Sequence, residues 1–193
     1  MIHLSSIGAH REAGNGILQF HHRVEQVLRR LPDDIRIKFI RPVGFYDNLF
    51  SMIPIIQSQG VMASVYGEED IVPWVATADI AEVIAEEFDA PFQEGSVVRY
   101  VASDELSCRE VARVLGQEIG RPALEWVIIP EQQQLDGLLA AGMASKAATG
   151  LVEMNTATHT GVLYEDYYLH QTALGKTKIQ AFAHEFAKAY HHA

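Results

Sequence analysis

The chain has 193 residues, 48% hydrophobic and 21% charged, with a net charge of −10. It is long enough to bury a sizeable core, and so acidic a surface excludes a nucleic-acid groove or an anionic membrane as its main partner. A single cysteine, Cys108, excludes an intrachain disulfide and fits a reducing compartment, which points to the cytoplasm.

The chain opens on a strand pattern, Ile2-His3-Leu4-Ser5-Ser6. Gly14-Asn15-Gly16 signals a turn, and Ile17, Phe20, Val24, Val27, Leu28 and Leu31 then recur at helical spacing, which predicts an amphipathic helix over 17–31. Pro32-Asp33-Asp34 stops it. Between 35 and 41, Ile35, Ile37 and Phe39 alternate with Arg36 and Lys38, the period of a strand, and Pro42 ends it because it has no N–H for a ladder. Strand, helix, strand in this order predicts a right-handed crossover with a parallel pair. A helix entering from Phe45 is expected to end or kink near Ile53, at Pro54.

Further on, 61–66 reads as a short strand, and 71–75 as an edge or irregular strand because it contains Pro73. Asp79 with Glu82 reads as an acidic helix cap, with Ile80, Val83, Ile84 and Phe88 on the buried side. A strand follows at 97–102. Ser107 and Glu110 make a capping box, with Val111, Val114, Leu115 and Ile119 behind it and Gly120 as the stop. Residues 124–129 read as a strand and 131–148 as one helix containing Gly137 and Gly142. The last helix is expected to start at Thr177 and to bury Ile179, Phe182, Phe186 and Tyr190.

In an open α/β sheet, ligands bind beyond the carboxyl ends of the strands. Ser5, Ser6 and the segment Arg41 to Phe45 stand at such ends. A strand-end hydroxyl at Ser5 or Ser6 reads plainly as satisfying loop backbone. His21 and Glu25 lie one helical turn apart, and a proton relay competes with the plainer reading, an exposed i,i+4 pair. Asn48 is expected to anchor the turn after Phe45. Trp74 and Tyr164 line a cleft or belong to the core. No His-x-x-x-His or cysteine pair supports a metal site, and Cys108 reads as an ordinary first residue of a capped helix.

The segments HLSSIGAH (3–10), HHRVEQVL (21–28), IRPVGFYDNL (40–49), PWVATADIAEVI (73–84) and SDELSCREVARVLGQEIGRP (103–122), in that order, resemble the later part of NmrA-like proteins. These form an atypical branch of the short-chain dehydrogenase/reductase superfamily. The resemblance covers nearly the whole chain and rests on order and spacing. It implies an α/β fold: a partial Rossmann-like parallel sheet of three strands over 1–103, with 51–78 as an insertion, and a smaller substrate-type lobe over 104–193. It implies NAD(P) as cofactor, with Ser5, Pro42, Val43, Gly44 and Phe45 beside it. Ser6, His21 and Glu25 become the catalytic candidates, and Asn48, Trp74 and Tyr164 border the cleft for a small-molecule substrate.

Two departures qualify this. Where the superfamily's reductases carry Tyr-x-x-x-Lys, this chain reads His21-His22-Arg23-Val24-Glu25. The glycine-rich strand–turn–helix that holds the pyrophosphate is missing, since Gly14-x-Gly16 is the one close glycine pair and Gln19 stands where a third glycine belongs. The expectation is therefore a truncated member, impaired in cofactor binding and inactive alone. Three functions remain open: an NAD(P)H-dependent oxidoreductase, a non-catalytic nucleotide-sensing regulator, and an interaction or oligomerisation module. Because the first strand would lack a neighbour, a homodimer through that strand and the helix after it is expected.

Overall fold

A computed structural model describes residues 1–32, 34–92, 95–170 and 172–193. In chain order its elements are β1 (Ile2–Leu4), α1 (Gln19–Leu28), β2 (Ile37–Pro42), β3 (Gly44–Phe45), α2 (Ile53–Gln59), β4 (Met62–Ser64), β5 (Ile71–Val75), α3 (Thr77–Asp89), β6 (Ser96–Val101), β7 (Asp104–Ser107), α4 (Cys108–Glu118), β8 (Trp126–Ile128), α5 (Glu131–Ala140), α6 (Ser145–His159), α7 (Glu165–Tyr168) and α8 (Ile179–His192). A 3-10 turn, Gly16–Leu18, leads into α1, and another, Tyr46–Met52, into α2.

The first sheet has the order β1-β2-β6, and both pairings are parallel. This is the predicted arrangement, with α1 crossing between the first two strands. All six residues of β2 are buried, Lys38 and Arg41 included. The polar–apolar alternation in the sequence does not mark a wet face, because a parallel strand is covered on both sides. Arg41 meets α1. Lys38, on the opposite pleat, donates to the carbonyls of Glu87 and Ala90 at 2.8 and 3.0 Å and pairs with the Glu87 carboxylate at 2.7 Å, which closes the end of α3.

A second sheet runs β3-β5-β7, parallel then antiparallel, and β4 pairs with β8. Pro73 thus lies in a central strand rather than at an edge. On the β3 side, pairing reaches only Trp74 and Val75, so at Pro73 itself that flank is open. The helix entering from Phe45 ends near Ile53 as expected: it is the 3-10 turn Tyr46–Met52, and Pro54 falls in the first turn of α2, where a missing N–H is harmless.

Other differences are equally local. The predicted helix over 131–148 is two helices, parted where Gly142 takes a left-handed φ of +86°. Asp79 caps nothing: it lies in the first turn of α3, buried, and accepts from Ser103 Oγ at 2.6 Å and from Thr177 N–H and Oγ at 3.1 and 2.8 Å. Thr177 is therefore spent on Asp79 and does not cap α8. Phe88, expected inside, is exposed. The Ser107–Glu110 capping box is present in both directions. The Pro32-Asp33-Asp34 stop lies partly outside the described residues, at Asp33.

The main core is aromatic. Tyr46 stacks on Trp74 and on Phe182, and Phe50 on Phe186, with α8 burying Ile179, Phe182, Phe186 and Tyr190 as its spacing predicts. In α1 the pattern inverts. Its one buried residue is Glu25, 1% exposed, while Phe20 and Val27 are 56% and 64% exposed.

Candidate functional site

The carboxyl ends of β1, β2 and β6 converge on a buried ionic cluster. Arg41, at the end of β2, donates from Nε and Nη2 to the two oxygens of Glu25 at 2.9 and 2.7 Å. Its Nη1 donates to Tyr100 Oη, at the end of β6, and to Asp166 Oδ2 of α7, both at 3.0 Å. Tyr100 in turn donates to Asp166 at 2.6 Å. Ser5, just past β1, donates to Glu25 at 2.6 Å, and Arg29 reaches the same carboxylate from one turn on at 3.2 Å.

Burial pushes the Glu25 carboxyl up, but the hydrogen bonds from Arg41 and Ser5, with the Arg41 charge, more than offset this and hold it below its usual 4.5. For Arg41 burial favours loss of the proton, and the Glu25 carboxylate reverses the shift. The Tyr100 hydroxyl is raised, first by burial and then by its bond to Asp166. The result is a fixed ion pair with a fork-to-fork geometry, not a group poised to exchange protons near pH 7.

The expected site residues separate into groups. Ser5 and Glu25 are brought together. Among the described residues, the Glu25 side chain makes no hydrogen bond to His21 or Ser6. His21 lies half-buried with its ring 3.9 Å from that of Phe20, and burial lowers its pKa. Ser6 is half-buried, with its carbonyl accepting from Ala9. Glu25 is thus neither a surface partner of His21 nor free. Along the second strand end, the Pro42 carbonyl accepts from Ile7 N–H at 2.8 Å, Val43 N–H donates to Val101 at 3.1 Å, and Gly44 and Phe45 pair with Trp74 and Val75. Asn48 is exposed, and its carbonyl, not its side chain, takes part in the turn by accepting from Ser51 at 2.6 Å. Trp74 and Tyr164 are core residues. Cys108 is fully buried, and desolvation raises its thiol.

Sequence reasoning placed Arg41 at a strand end but gave its side chain no role, and it missed Tyr100, Asp166 and His10. A signal for the role of Arg41 existed: it follows Phe39-Ile40 at the inner end of a strand expected to be buried, where a charge demands a partner. His10 follows β1, and neither ring nitrogen has a partner among the described residues. Burial lowers its pKa, with Asp166 acting against this and Arg41 with it.

The glycine pair tests the fit of a dinucleotide. A Cβ at Gly16 would lie 1.9 Å from the Gly150 carbonyl oxygen and 2.6 Å from Met154 N. Gly16 is a glycine because the turn presses on the backbone of α6, which leaves no room there for a phosphate. The residues of this turn do not fit a pyrophosphate.

These features define a Rossmann-like α/β fold of the kind found in NAD(P)-binding reductases. The NmrA-like family profile matches residues 7–183, and the chain belongs to that family. Three solved structures are similar to it. A nucleoside-diphosphate-sugar epimerase from Staphylococcus aureus has 14% identity and a TM-score of 0.74, with 95% of this chain covering 63% of that one. An NADPH-dependent quinone oxidoreductase from Escherichia coli, complexed with NADPH, has 18% identity and a TM-score of 0.70, with 99% and 64% covered. NmrA, a negative transcriptional regulator in complex with NAD, has 15% identity and a TM-score of 0.54, with 95% and 63% covered. At these identities the likeness is one of fold, and the chain spans less than two thirds of each structure's length. No curated protein sequence matches the chain. Among the described residues, no helix is long and apolar enough to cross a membrane.

Proposed function

We propose that the chain is an oxidoreductase-related protein of NAD(P)-binding type that, taken alone, holds the dinucleotide weakly. What supports this is the parallel order β1-β2-β6, with Ser5 just past the end of β1 and Pro42 at the end of β2. Residues 1–103 supply the nicotinamide side, and 104–193, with 51–78, the side of a small-molecule substrate in the cytoplasm. Weak binding follows from the commitment of Gly16 to α6 and from the hydrogen bonds that already occupy Pro42 and Val43. Titration calorimetry with NADPH and NADH is expected to give a Kd weaker than about 1 mM. A micromolar Kd would overturn the reading.

A specific observation favours a second reading, a non-catalytic nucleotide-sensing regulator. Ser5 and Glu25, which a reductase would need free, are locked to each other and to Arg41. Absence of NADPH-dependent quinone reduction, together with measurable nucleotide binding, selects this second reading.

A further inference from the structure

Among the described residues, β8 pairs only with β4. Met62 N–H donates to the Glu125 carbonyl and Ile129 N–H to the Ser64 carbonyl, both at 2.9 Å, so Glu125, Val127 and Ile129 turn their peptide groups toward β4. Trp126 and Ile128, between them, turn theirs the other way. Among the described residues those N–H and C=O groups have no partner. Pro122 and Pro130 bracket this open stretch, and neither interrupts it.

The same stretch forms one wall of a groove of about 390 Å³, and α4 forms the other. Buried Ala112, Leu124 and Trp126 line its inner part. Exposed Arg109 and Arg113, one helical turn apart, line it on the α4 side. None of these residues belongs to the ionic cluster around Glu25. Glu125 also borders the groove, but strand alternation sends its side chain to the face opposite buried Leu124 and Trp126. That leaves Glu68, whose carbonyl accepts from Arg109 N–H at 2.8 Å, as the one carboxylate lining the groove against two arginines.

Two features select the occupant. Free donors and acceptors that alternate along an extended line match the backbone of another strand, not a compact ligand. The helix side supplies the charge. Among the described residues Arg113 has no carboxylate partner, and Arg109 has only Glu69, in a pair open to water and therefore easily exchanged. In a chain of net charge −10, this is a locally basic groove. A second copy of the chain fits it poorly, because a second β8 edge brings two more arginines. We propose that the groove takes an extended acidic segment of a partner protein, added as a strand on β8. The segment exchanges hydrogen bonds with the peptide groups of Trp126 and Ile128. A small apolar side chain enters over Ala112 and Leu124, and a carboxylate two residues along, on the same face, meets Arg113 and Arg109.

The test is fluorescence anisotropy of the full chain with a short labelled peptide in which valine and glutamate alternate on one face and threonine fills the other. Its Kd is expected below about 100 μM. Arg109→Glu and Arg113→Glu, at exposed positions checked for folding by circular dichroism, should each weaken binding about 10-fold or more. Arg23→Glu, the same charge change on α1, should leave it unchanged. The peptide with lysine for glutamate, and the peptide N-methylated at alternate amides, should each bind about 10-fold or more weakly. Amide exchange at Trp126 and Ile128 should slow in the complex. Absence of binding up to about 1 mM overturns the proposal. So does equal binding of the lysine peptide, or a complex that leaves both amides exchanging as in the free chain. Light scattering that shows twice the 21.5 kDa of one chain, with the same amides protected and no peptide present, overturns it in favour of a second copy.

Discussion

Helices α1 and α8 have the same kind of apolar spacing and bury opposite things. In α8, Ile179, Phe182, Phe186 and Tyr190 go inside, against Tyr46 and Phe50. In α1, a glutamate goes inside and Phe20 and Val27 stay out. The difference lies in the neighbour. One helix lies on an aromatic wall, and the other over strand ends that present Ser5 and Arg41. A helical period shows that two faces exist; the surface beneath decides which one is buried.

The largest effects test the two helices directly. Phe186→Ala should cost about 3–5 kcal/mol in urea unfolding, from lost burial and the cavity left behind. Glu25→Ala should cost a similar amount, about 3–5 kcal/mol, for a different reason: it removes the buried partner of Arg41 Nε and Nη2 and leaves that guanidinium only Asp166 and Tyr100. Rescue separates the two causes. Glu25→Leu combined with Arg41→Met should recover most of the loss, whereas no charge change should rescue Phe186→Ala. A double variant as unstable as the summed singles would show that α1 needs its ion pair for more than mutual compensation.

Acid titration sharpens the contrast further. The Glu25 pKa in the folded chain lies below the usual 4.5, so its contribution is present above that value and is lost as pH falls through the folded pKa. Stability of the wild type should therefore drop more steeply below pH 4.5 than that of the double variant, as followed by circular dichroism. A smaller loss, about 1–3 kcal/mol, is expected for Asp79→Asn, which weakens a buried carboxylate with three donors. The smallest is Phe88→Ser, within about 0.5 kcal/mol, because that ring already faces water. A larger loss there would mean the apolar side of α3 is covered in solution.

Legibility in the sequence followed distance along the chain. The Ser107–Glu110 box closes over three residues and was readable with its direction and its buried positions. The end of β2 at Arg41-Pro42 was readable because proline acts on its own backbone. Ser5 and Glu25 could be named as candidates from their places beside strand ends. Their union could not, because it depends on Arg41, 16 residues from Glu25, and that arginine on Asp166, 125 residues away. The proline rule placed the end of the helix from Phe45 near Ile53, but not the new helix that Pro54 opens in its first turn. Most of the 145–159 helix was missed because its inward side is built from small and polar groups, Ala148, Asn155, Ala157 and Thr158 among them, which give little apolar period.

The long ties between the sheet and the last quarter of the chain have a consequence during synthesis. Thr177 reaches Asp79 across 98 positions, Asp166 reaches Arg41 across 125, and Glu165 reaches Arg11 across 154. At about 5–20 residues per second, a ribosome leaves Asp79 waiting roughly 5–20 s for Thr177. Through that interval the nascent sheet has its strands and the pairs Arg41–Glu25 and Lys38–Glu87, but Asp166 is not yet on Arg41, nor Thr177 on Asp79. The contacts of highest sequence separation close last, which slows completion of the fold.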